Sequence, residues 1–112
     1  EGLKLADIIT LHAGGDSPIL TVSEFEIMKK GVIILNSARG NLINENALIN
    51  ALDSGKVSSA WLDVFWNEPY KGKLTKYNQV LLTPHMGTYS VQCRKDMEMA
   101  AVKNLLRDLG IK

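Results

Sequence analysis

The stretch that decides the fold is VLLTPHMG, residues 80–87. Its apolar head predicts a short buried strand. Pro84 ends that strand, because proline lacks the amide hydrogen that a strand ladder needs. His85 then falls on the loop that leaves the strand, and Gly87 lets the backbone turn. Open α/β sheets bind ligands at the carboxyl ends of their strands, so His85 is a candidate site residue. Taken by itself, it would more simply be a surface or core histidine.

Three more strands are predicted upstream of this stretch, at residues 6–12, 32–36 and 58–64. The run at 6–12 is apolar, rich in β-branched residues and followed by a turn signal at residues 13–16. The run at 58–64 places Ala60, Leu62 and Val64 on one side. The run at 32–36 is almost continuously apolar, which is typical of a parallel strand covered on both faces.

Helix signals separate these strands. Thr21 and Glu24 form a capping-box pattern, and Gly31 is a candidate for the end of that helix after Lys29 and Lys30. Asn44 can cap a second helix that Gly55 ends. A long amphipathic helix is predicted from about residue 90 to residue 109. We expect its apolar side chains to pack in the core: Met97, Met99, Ala100, Ala101, Leu105 and Leu109.

Alternation of strands and helices predicts parallel βαβ units with right-handed crossovers, hence an α/β fold. With 46% hydrophobic and 22% charged residues, the 112-residue chain has the composition of a globular domain. A net charge of +1 without a basic run gives no support for nucleic-acid binding. There is no membrane-spanning run and no signal-peptide pattern. The single cysteine, Cys93, suits a reducing compartment, so we expect a cytoplasmic protein.

Polar residues with complementary chemistry lie at the predicted strand ends or on the loops after them. Arg39 offers a planar fork for a carboxylate, and His85 can exchange a proton with a substrate hydroxyl. Glu68 beside that histidine would stabilise the imidazolium and fix its tautomer. Asp63 could accept a hydrogen bond from an amide-bearing cofactor. Each has a simpler explanation as a solvated, turn or capping residue, and a catalytically silent domain with an incidental trio remains an alternative.

Four ordered segments resemble the D-isomer-specific 2-hydroxyacid dehydrogenases: residues 6–12, 36–40, 62–65 with Glu68-Pro69, and 82–85. That family includes phosphoglycerate, glycerate, D-lactate and glyoxylate/hydroxypyruvate enzymes. Residues 86–89 are most similar to glyoxylate- or hydroxypyruvate-reductase-like members. Related formate dehydrogenases carry glutamine where this chain has Glu68, so the resemblance favours the hydroxyacid branch.

The resemblance implies a hydride transfer between NAD or NADP and C2 of a small 2-hydroxy or 2-keto acid. Arg39 would bind the substrate carboxylate, His85 would be the acid/base with Glu68 as its partner, and Asp63 would hold the nicotinamide carboxamide. The implied cofactor-binding residues are His12, Ala38, Arg39, Asp63, His85 and Gly87. The resemblance also implies a homodimer, with no metal site and no membrane or nucleic-acid partner.

No Gly-x-Gly-x-x-Gly fingerprint occurs in the sequence. We therefore interpret residues 1–112 as the second half of a Rossmann-type NAD(P)-binding domain, a partial parallel sheet with flanking helices that carries the catalytic residues. We expect this piece of a doubly wound domain to be inactive alone, marginally stable and prone to associate through an exposed sheet edge. The alternative function is a non-catalytic nucleotide-sensing or corepressor-like interaction protein on the same fold.

Overall fold

The computed structural model describes residues 1–111 and contains a four-stranded sheet in the order β1-β2-β3-β4. All neighbouring strands pair in parallel, which confirms the predicted α/β sheet with flanking helices. The strands are β1 (Ile8–Leu11), β2 (Val32–Asn36), β3 (Val57–Leu62) and β4 (Val80–Leu82). The helices are α1 (Gly2–Leu5), α2 (Val22–Ile27), α3 (Glu45–Asp53) and α4 (Val91–Asp108). Short 3₁₀ turns cover Gly40–Leu42 and Lys73–Lys76.

Helix α2 begins as predicted and ends earlier than predicted. The Thr21 amide donates to Glu24 Oε2 at 2.9 Å, and Glu24 completes a capping box. Hydrogen bonds from Thr21 and Ser23 lower the pKa of Glu24 to about 2. The helix stops at Ile27, because Met28 is already extended, so Gly31 is not its C-terminal glycine. Gly31 instead turns the chain into β2 with a φ of 84°, and its amide bonds to the Lys56 carbonyl.

Helix α3 follows its predicted signals closely. Asn44 Oδ1 accepts a hydrogen bond from the Ala47 amide at 2.9 Å, and Gly55 leaves the helix with a φ of 69°. The helix buries its apolar stripe against the sheet and α2, through Ala47, Leu48, Ile49, Ala51 and Leu52.

The core lies on one face of the sheet. In β2, Val32 and Ile34 are buried, whereas the alternate residues Ile33 and Leu35 are only half-buried. The prediction that both faces of this strand are covered is therefore wrong, since α2 and α3 pack on the same side. The prediction that residues 80–83 form a buried strand is also wrong: β4 is an edge strand, and Leu81 is 62% exposed.

Helix α4 forms over the predicted range, and the Ser90 side chain accepts a hydrogen bond from the Cys93 amide at 3.1 Å. Its expected burial is wrong. No residue of α4 is buried by the rest of chain 1–111, and Met97 and Leu105 are 53% and 59% exposed. The marginal stability of the chain alone stays a prediction. Among residues 1–111, every helix is too short or too polar to cross a membrane.

Candidate active site

Each strand of the sheet is followed by a predicted site residue. His12 follows β1, Arg39 lies on the loop after β2, Asp63 follows β3, and His85 lies on the loop after β4. Because the strands are parallel, their carboxyl ends share one edge of the sheet. This is the edge at which open α/β sheets bind ligands.

His85 and Glu68 form a hydrogen-bonded pair at the carboxyl edge of the sheet. His85 Nδ1 lies 2.9 Å from Glu68 Oε2 and 3.1 Å from Oε1. The hydrogen bond with His85 lowers the pKa of Glu68; burial opposes this effect, and the Phe65 amide, which donates to Oε1 at 3.1 Å, adds to it. The carboxylate is therefore ionised at neutral pH. With Nδ1 turned to Glu68, the other ring nitrogen, Nε2, is the one available to a substrate.

The backbone of His85 adopts an uncommon conformation. Its φ is 53°, in the left-handed region that non-glycine residues seldom occupy. The His85 amide donates to the Thr83 carbonyl at 2.9 Å across Pro84. Such a conformation costs about 1–3 kcal/mol and persists only where neighbouring contacts hold it, often at functional sites.

Asp63 makes several of the contacts that hold the loop after β4. Its side chain is buried, at 1% exposure. It accepts hydrogen bonds from the Thr83 hydroxyl, from the Met86 amide at 2.9 Å and from the Gly87 amide at 2.7 Å. Burial opposes its charge, but these hydrogen bonds prevail and lower the pKa of Asp63. Its described contacts are thus inside the protein, and a contact with a nicotinamide stays a prediction.

The loop that carries Arg39 is organised by Asn36, the last residue of β2. Asn36 is 1% exposed. Its Nδ2 donates to the Arg39 carbonyl at 2.9 Å, and its Oδ1 accepts from the Ala38 amide at 3.0 Å. The Arg39 side chain is exposed, and Nη1 donates to the Ala38 carbonyl at 2.7 Å. Within residues 1–111 the guanidinium thus contacts its own loop rather than the His85–Glu68 pair.

Backbone contacts nevertheless join the Arg39 loop to the Glu68 loop. Gly40 packs so closely on the Phe65 backbone that a Cβ there would overlap it. The Asp63 amide donates to the Asn36 carbonyl at 2.9 Å, which joins the ends of β2 and β3. The structure therefore places Arg39 and Glu68 on adjoining loops.

The remaining predicted cofactor-binding residues lie along the same edge. His12 is exposed, and its Nε2 lies 3.0 Å from Thr10 Oγ1. Ala38 is half-buried in the Arg39 loop. A Cβ at Gly87 would lie 3.0 Å from Asp63 Oδ2, so a side chain there would crowd the carboxylate that holds the loop.

A cleft of about 410 Å³ opens beside the His85–Glu68 pair. One wall carries the rings of Phe65 and Tyr70, which stack with centroids 4.9 Å apart. The cleft is lined by Phe65, Glu68, Pro69, Tyr70, Leu82, Thr83, Pro84 and His85. Residues 1–111 contain no group of three or more His, Cys, Asp or Glu side chains arranged to hold a metal ion.

Sequence reasoning missed the residues that support the site. The sequence pattern marks Asn36 only as a strand end, contains Thr83 only within the segment 82–85 and gives no role to Trp61. In the structure, Trp61 Nε1 donates to Thr83 Oγ1 at 2.9 Å. One signal was available for Asn36: an amide at the end of an apolar strand needs a hydrogen-bond partner if it is buried. Nothing in the sequence pairs Trp61 with Thr83, because they are 22 residues apart, one on β3 and the other just after β4.

A parallel sheet flanked by helices, with polar side chains at the carboxyl ends of its strands, is typical of Rossmann-like α/β domains, which bind ligands at that edge. Comparison with known proteins gives the family. Residues 1–87 match the family described as D-isomer specific 2-hydroxyacid dehydrogenase, NAD binding domain. The chain belongs to this family, which confirms the resemblance seen in the sequence.

Individual relatives agree with this assignment. The chain is 44% identical to 4-methyl-2-oxopentanoate reductase A of Aspergillus oryzae, over 94% of this chain and 33% of that protein. It is 45% identical to glyoxylate reductase 1 of Saccharomyces cerevisiae, over 93% of this chain and 31% of that protein. The crystal structure of a glyoxylate reductase from Paecilomyes thermophila superimposes with a TM-score of 0.85 at 40% identity, covering 92% of this chain and 33% of that one. The chain therefore spans about a third of the length of the relatives that it matches.

Proposed function

We propose that the protein containing this chain transfers a hydride between a nicotinamide nucleotide and C2 of a D-2-hydroxyacid or 2-keto acid. The observation that carries this proposal is the His85–Glu68 pair, with Nδ1 to Oε2 at 2.9 Å, at the carboxyl edge of a parallel sheet. A carboxylate–imidazole pair supports proton transfer in many enzymes.

In the direction of reduction, His85 donates a proton from Nε2 to the carbonyl oxygen of the substrate. The nicotinamide, when bound, supplies the hydride for C2, so the keto acid becomes a hydroxyacid. Glu68 stabilises the imidazolium before the proton leaves and fixes the ring orientation. In oxidation the same nitrogen accepts the hydroxyl proton.

Arg39 would bind the substrate carboxylate. Its exposed guanidinium lies on the loop after β2, and the rigid fork of an arginine matches the two oxygens of a carboxylate. The loop itself is held by the buried Asn36 side chain. Arg39 would thus place the substrate carboxylate, and His85 would act on the neighbouring carbonyl.

The residues present fit the nicotinamide end of the cofactor. The strand ends form an open polar edge, and the loop after β4 stays close to Asp63 because Gly87 has no side chain to crowd that carboxylate. His12, Ala38, Arg39, Asp63, His85 and Gly87 are the residues proposed to contact it. Contacts with the pyrophosphate are not assigned, because the glycine-rich fingerprint is not in these residues. Residues 1–112 are proposed to be the second half of this nucleotide-binding domain.

The test uses the complete protein with glyoxylate and hydroxypyruvate, each with NADH and with NADPH. We expect turnover with one of the nicotinamides. His85→Asn should reduce kcat by about 10²- to 10⁴-fold, the usual contribution of a positioned acid/base. Glu68→Gln should give a smaller loss, because a neutral amide stabilises the imidazolium less.

Arg39→Ala separates substrate binding from a general loss of charge. We expect it to raise KM for the 2-keto acid strongly. Arg94→Ala is the matched control, because Arg94 is an exposed arginine on α4 whose guanidinium, within residues 1–111, pairs with Glu98 and lies over the ring of Tyr89. Unchanged turnover in Arg39→Ala would instead support the alternative that this domain is catalytically silent, with Arg39, Glu68 and His85 incidental to the reaction.

Two more proposals concern the whole protein. We expect it to be a cytoplasmic homodimer, and we expect residues 1–112 alone to show no turnover. Sedimentation of the complete protein tests the dimer, and the same keto-acid assay tests the isolated chain. A complete protein that binds NADH but turns over no 2-keto acid would favour the nucleotide-sensing or corepressor-like alternative.

A further inference from the structure

Three hydrogen-bonded side chains, Trp61, Thr83 and Asp63, form a relay beside the loop that carries His85. It begins at Trp61 on β3, whose strand neighbours are Leu35 and Leu81. The indole Nε1 donates to Thr83 Oγ1 at 2.9 Å, and the Thr83 hydroxyl contacts Asp63 Oδ1. The chemistry proposed above makes no use of Trp61 or Thr83.

The direction of this relay is fixed by the groups themselves. An indole N–H can only donate, and an ionised carboxylate can only accept. The Thr83 oxygen must therefore accept from Trp61, and its single hydrogen must point to Asp63. A hydroxyl held in this way cannot rotate towards solvent, and each bond in such a chain polarises the next.

The relay ends on the backbone around His85. Asp63 accepts the Met86 and Gly87 amides at 2.9 and 2.7 Å. The Thr83 carbonyl accepts the His85 amide at 2.9 Å. Thr83 thus restrains the loop twice: directly through its carbonyl, and through Asp63 by its hydroxyl.

We propose that Trp61 is a positioning residue for His85. By fixing the Thr83 hydroxyl on Asp63, it holds His85 in the left-handed conformation, with a φ of 53°, from which the imidazole meets Glu68. The consequence for catalysis rests on the function proposed above, whereas the restraint on the loop does not.

The test compares two tryptophans in the complete protein. Trp61→Phe keeps an aromatic ring and removes the donor. Trp66→Phe is the matched control, because it removes an indole hydrogen bond of the same kind, which goes to the Ile43 carbonyl at 2.7 Å and not to the Thr83–Asp63 contact. Amide hydrogen exchange is followed in a peptide that contains Met86 and Gly87. Peptides from α3 report on global unfolding.

We expect Trp61→Phe to speed exchange of the Met86 and Gly87 amides by roughly 3- to 10-fold over wild type, the range of one lost hydrogen bond. Trp66→Phe should leave that exchange unchanged after correction for α3. Equal rates in the two variants would overturn the proposal.

Thr83 shows whether Trp61 acts through the hydroxyl. Thr83→Val should speed exchange of the same amides, and Thr83→Ser, which keeps the hydroxyl, should restore the wild-type rate. In the Thr83→Val background, Trp61→Phe should add little, because its acceptor is already gone. A full additive effect in the double variant would contradict the relay.

Kinetics then separate this inference from the proposed function. With a keto acid as substrate, Trp61→Phe should lower kcat and leave KM near the wild-type value, because the Arg39 loop is held by Asn36 instead. Faster exchange with unchanged kcat would overturn the catalytic role of Trp61. If the wild-type protein turns over no keto acid, the proposed function fails, and the exchange rates alone decide whether Trp61 positions the loop.

Discussion

Helices α3 and α4 are similar in sequence signal and opposite in burial. Each has a polar N-cap whose side chain accepts a backbone amide, Asn44 for α3 and Ser90 for α4. Each also carries apolar side chains at helical spacing. Helix α3 buries its stripe against the sheet, whereas α4, over Val91–Asp108, buries none of its residues in chain 1–111.

The difference shows what a capped amphipathic pattern can predict. Caps and periodicity act within a few residues, so they indicate that a helix forms. Burial depends on a surface contributed by another part of the protein. The chain spans about a third of its relatives, and the face of α4 remains exposed in this structure.

The largest expected difference between the helices is in core truncation. Leu48 of α3 is fully buried, and Leu105 of α4 is 59% exposed. Leu48→Ala should lower the free energy of unfolding by about 2–5 kcal/mol. Leu105→Ala should change it by no more than about 0.5 kcal/mol. Urea unfolding of both variants measures the contrast, and a large loss in Leu105→Ala would show that α4 is packed in solution.

Removal of the N-cap side chains of α3 and α4 should have a smaller effect on the free energy of unfolding. Asn44→Ala removes the acceptor of the Ala47 amide and should cost about 0.5–2 kcal/mol of global stability. Ser90→Ala removes an equivalent bond to the Cys93 amide. It should reduce helix content, followed by circular dichroism, without shifting the urea midpoint of the core. Equal shifts of the midpoint would mean that α3 and α4 unfold as one unit.

The smallest expected effect depends on pH. The Tyr70 hydroxyl donates to Glu45 at the start of α3, and burial together with this hydrogen bond raises the pKa of Tyr70 to about 12 from 10.0. Its folded-state pKa is raised, so its contribution is present below pH 10 and is lost as pH rises towards 12. Tyr70→Phe should cost about 0.5–1.5 kcal/mol at neutral pH.

Unfolding curves at pH 7 and at pH 11 check the sign of this effect. The difference in stability between wild type and Tyr70→Phe should shrink as the pH rises. Tyr77→Phe is the comparison variant. It removes a similar hydrogen bond to an exposed carboxylate of the same helix, because the Tyr77 hydroxyl donates to Asp53 at 2.8 Å. A constant difference between wild type and Tyr70→Phe would exclude the Tyr70–Glu45 bond as its source.

The position of the candidate site could be predicted from the sequence, because its residues follow the ends of predicted parallel strands. The order of Arg39, Glu68 and His85 along successive strands predicted a shared edge, because parallel strands align their carboxyl ends. The expected contact between Glu68 and His85 is present. Its role in catalysis stays a prediction. Asn36 and Trp61 were not predicted as supports, because their hydrogen bonds depend on how distant segments meet.

The sequence by itself determined the local elements and the family. The capping box at Thr21, the Asn44 cap and the turn at Gly55 follow from interactions within a few residues. Only the tertiary structure decided which faces are covered and what holds the His85 loop. One face of the sheet is packed, and the relay from Trp61 to Asp63 joins neighbouring strands. Burial and hydrogen bonds between distant segments depend on three-dimensional proximity, which periodicity along the chain does not encode.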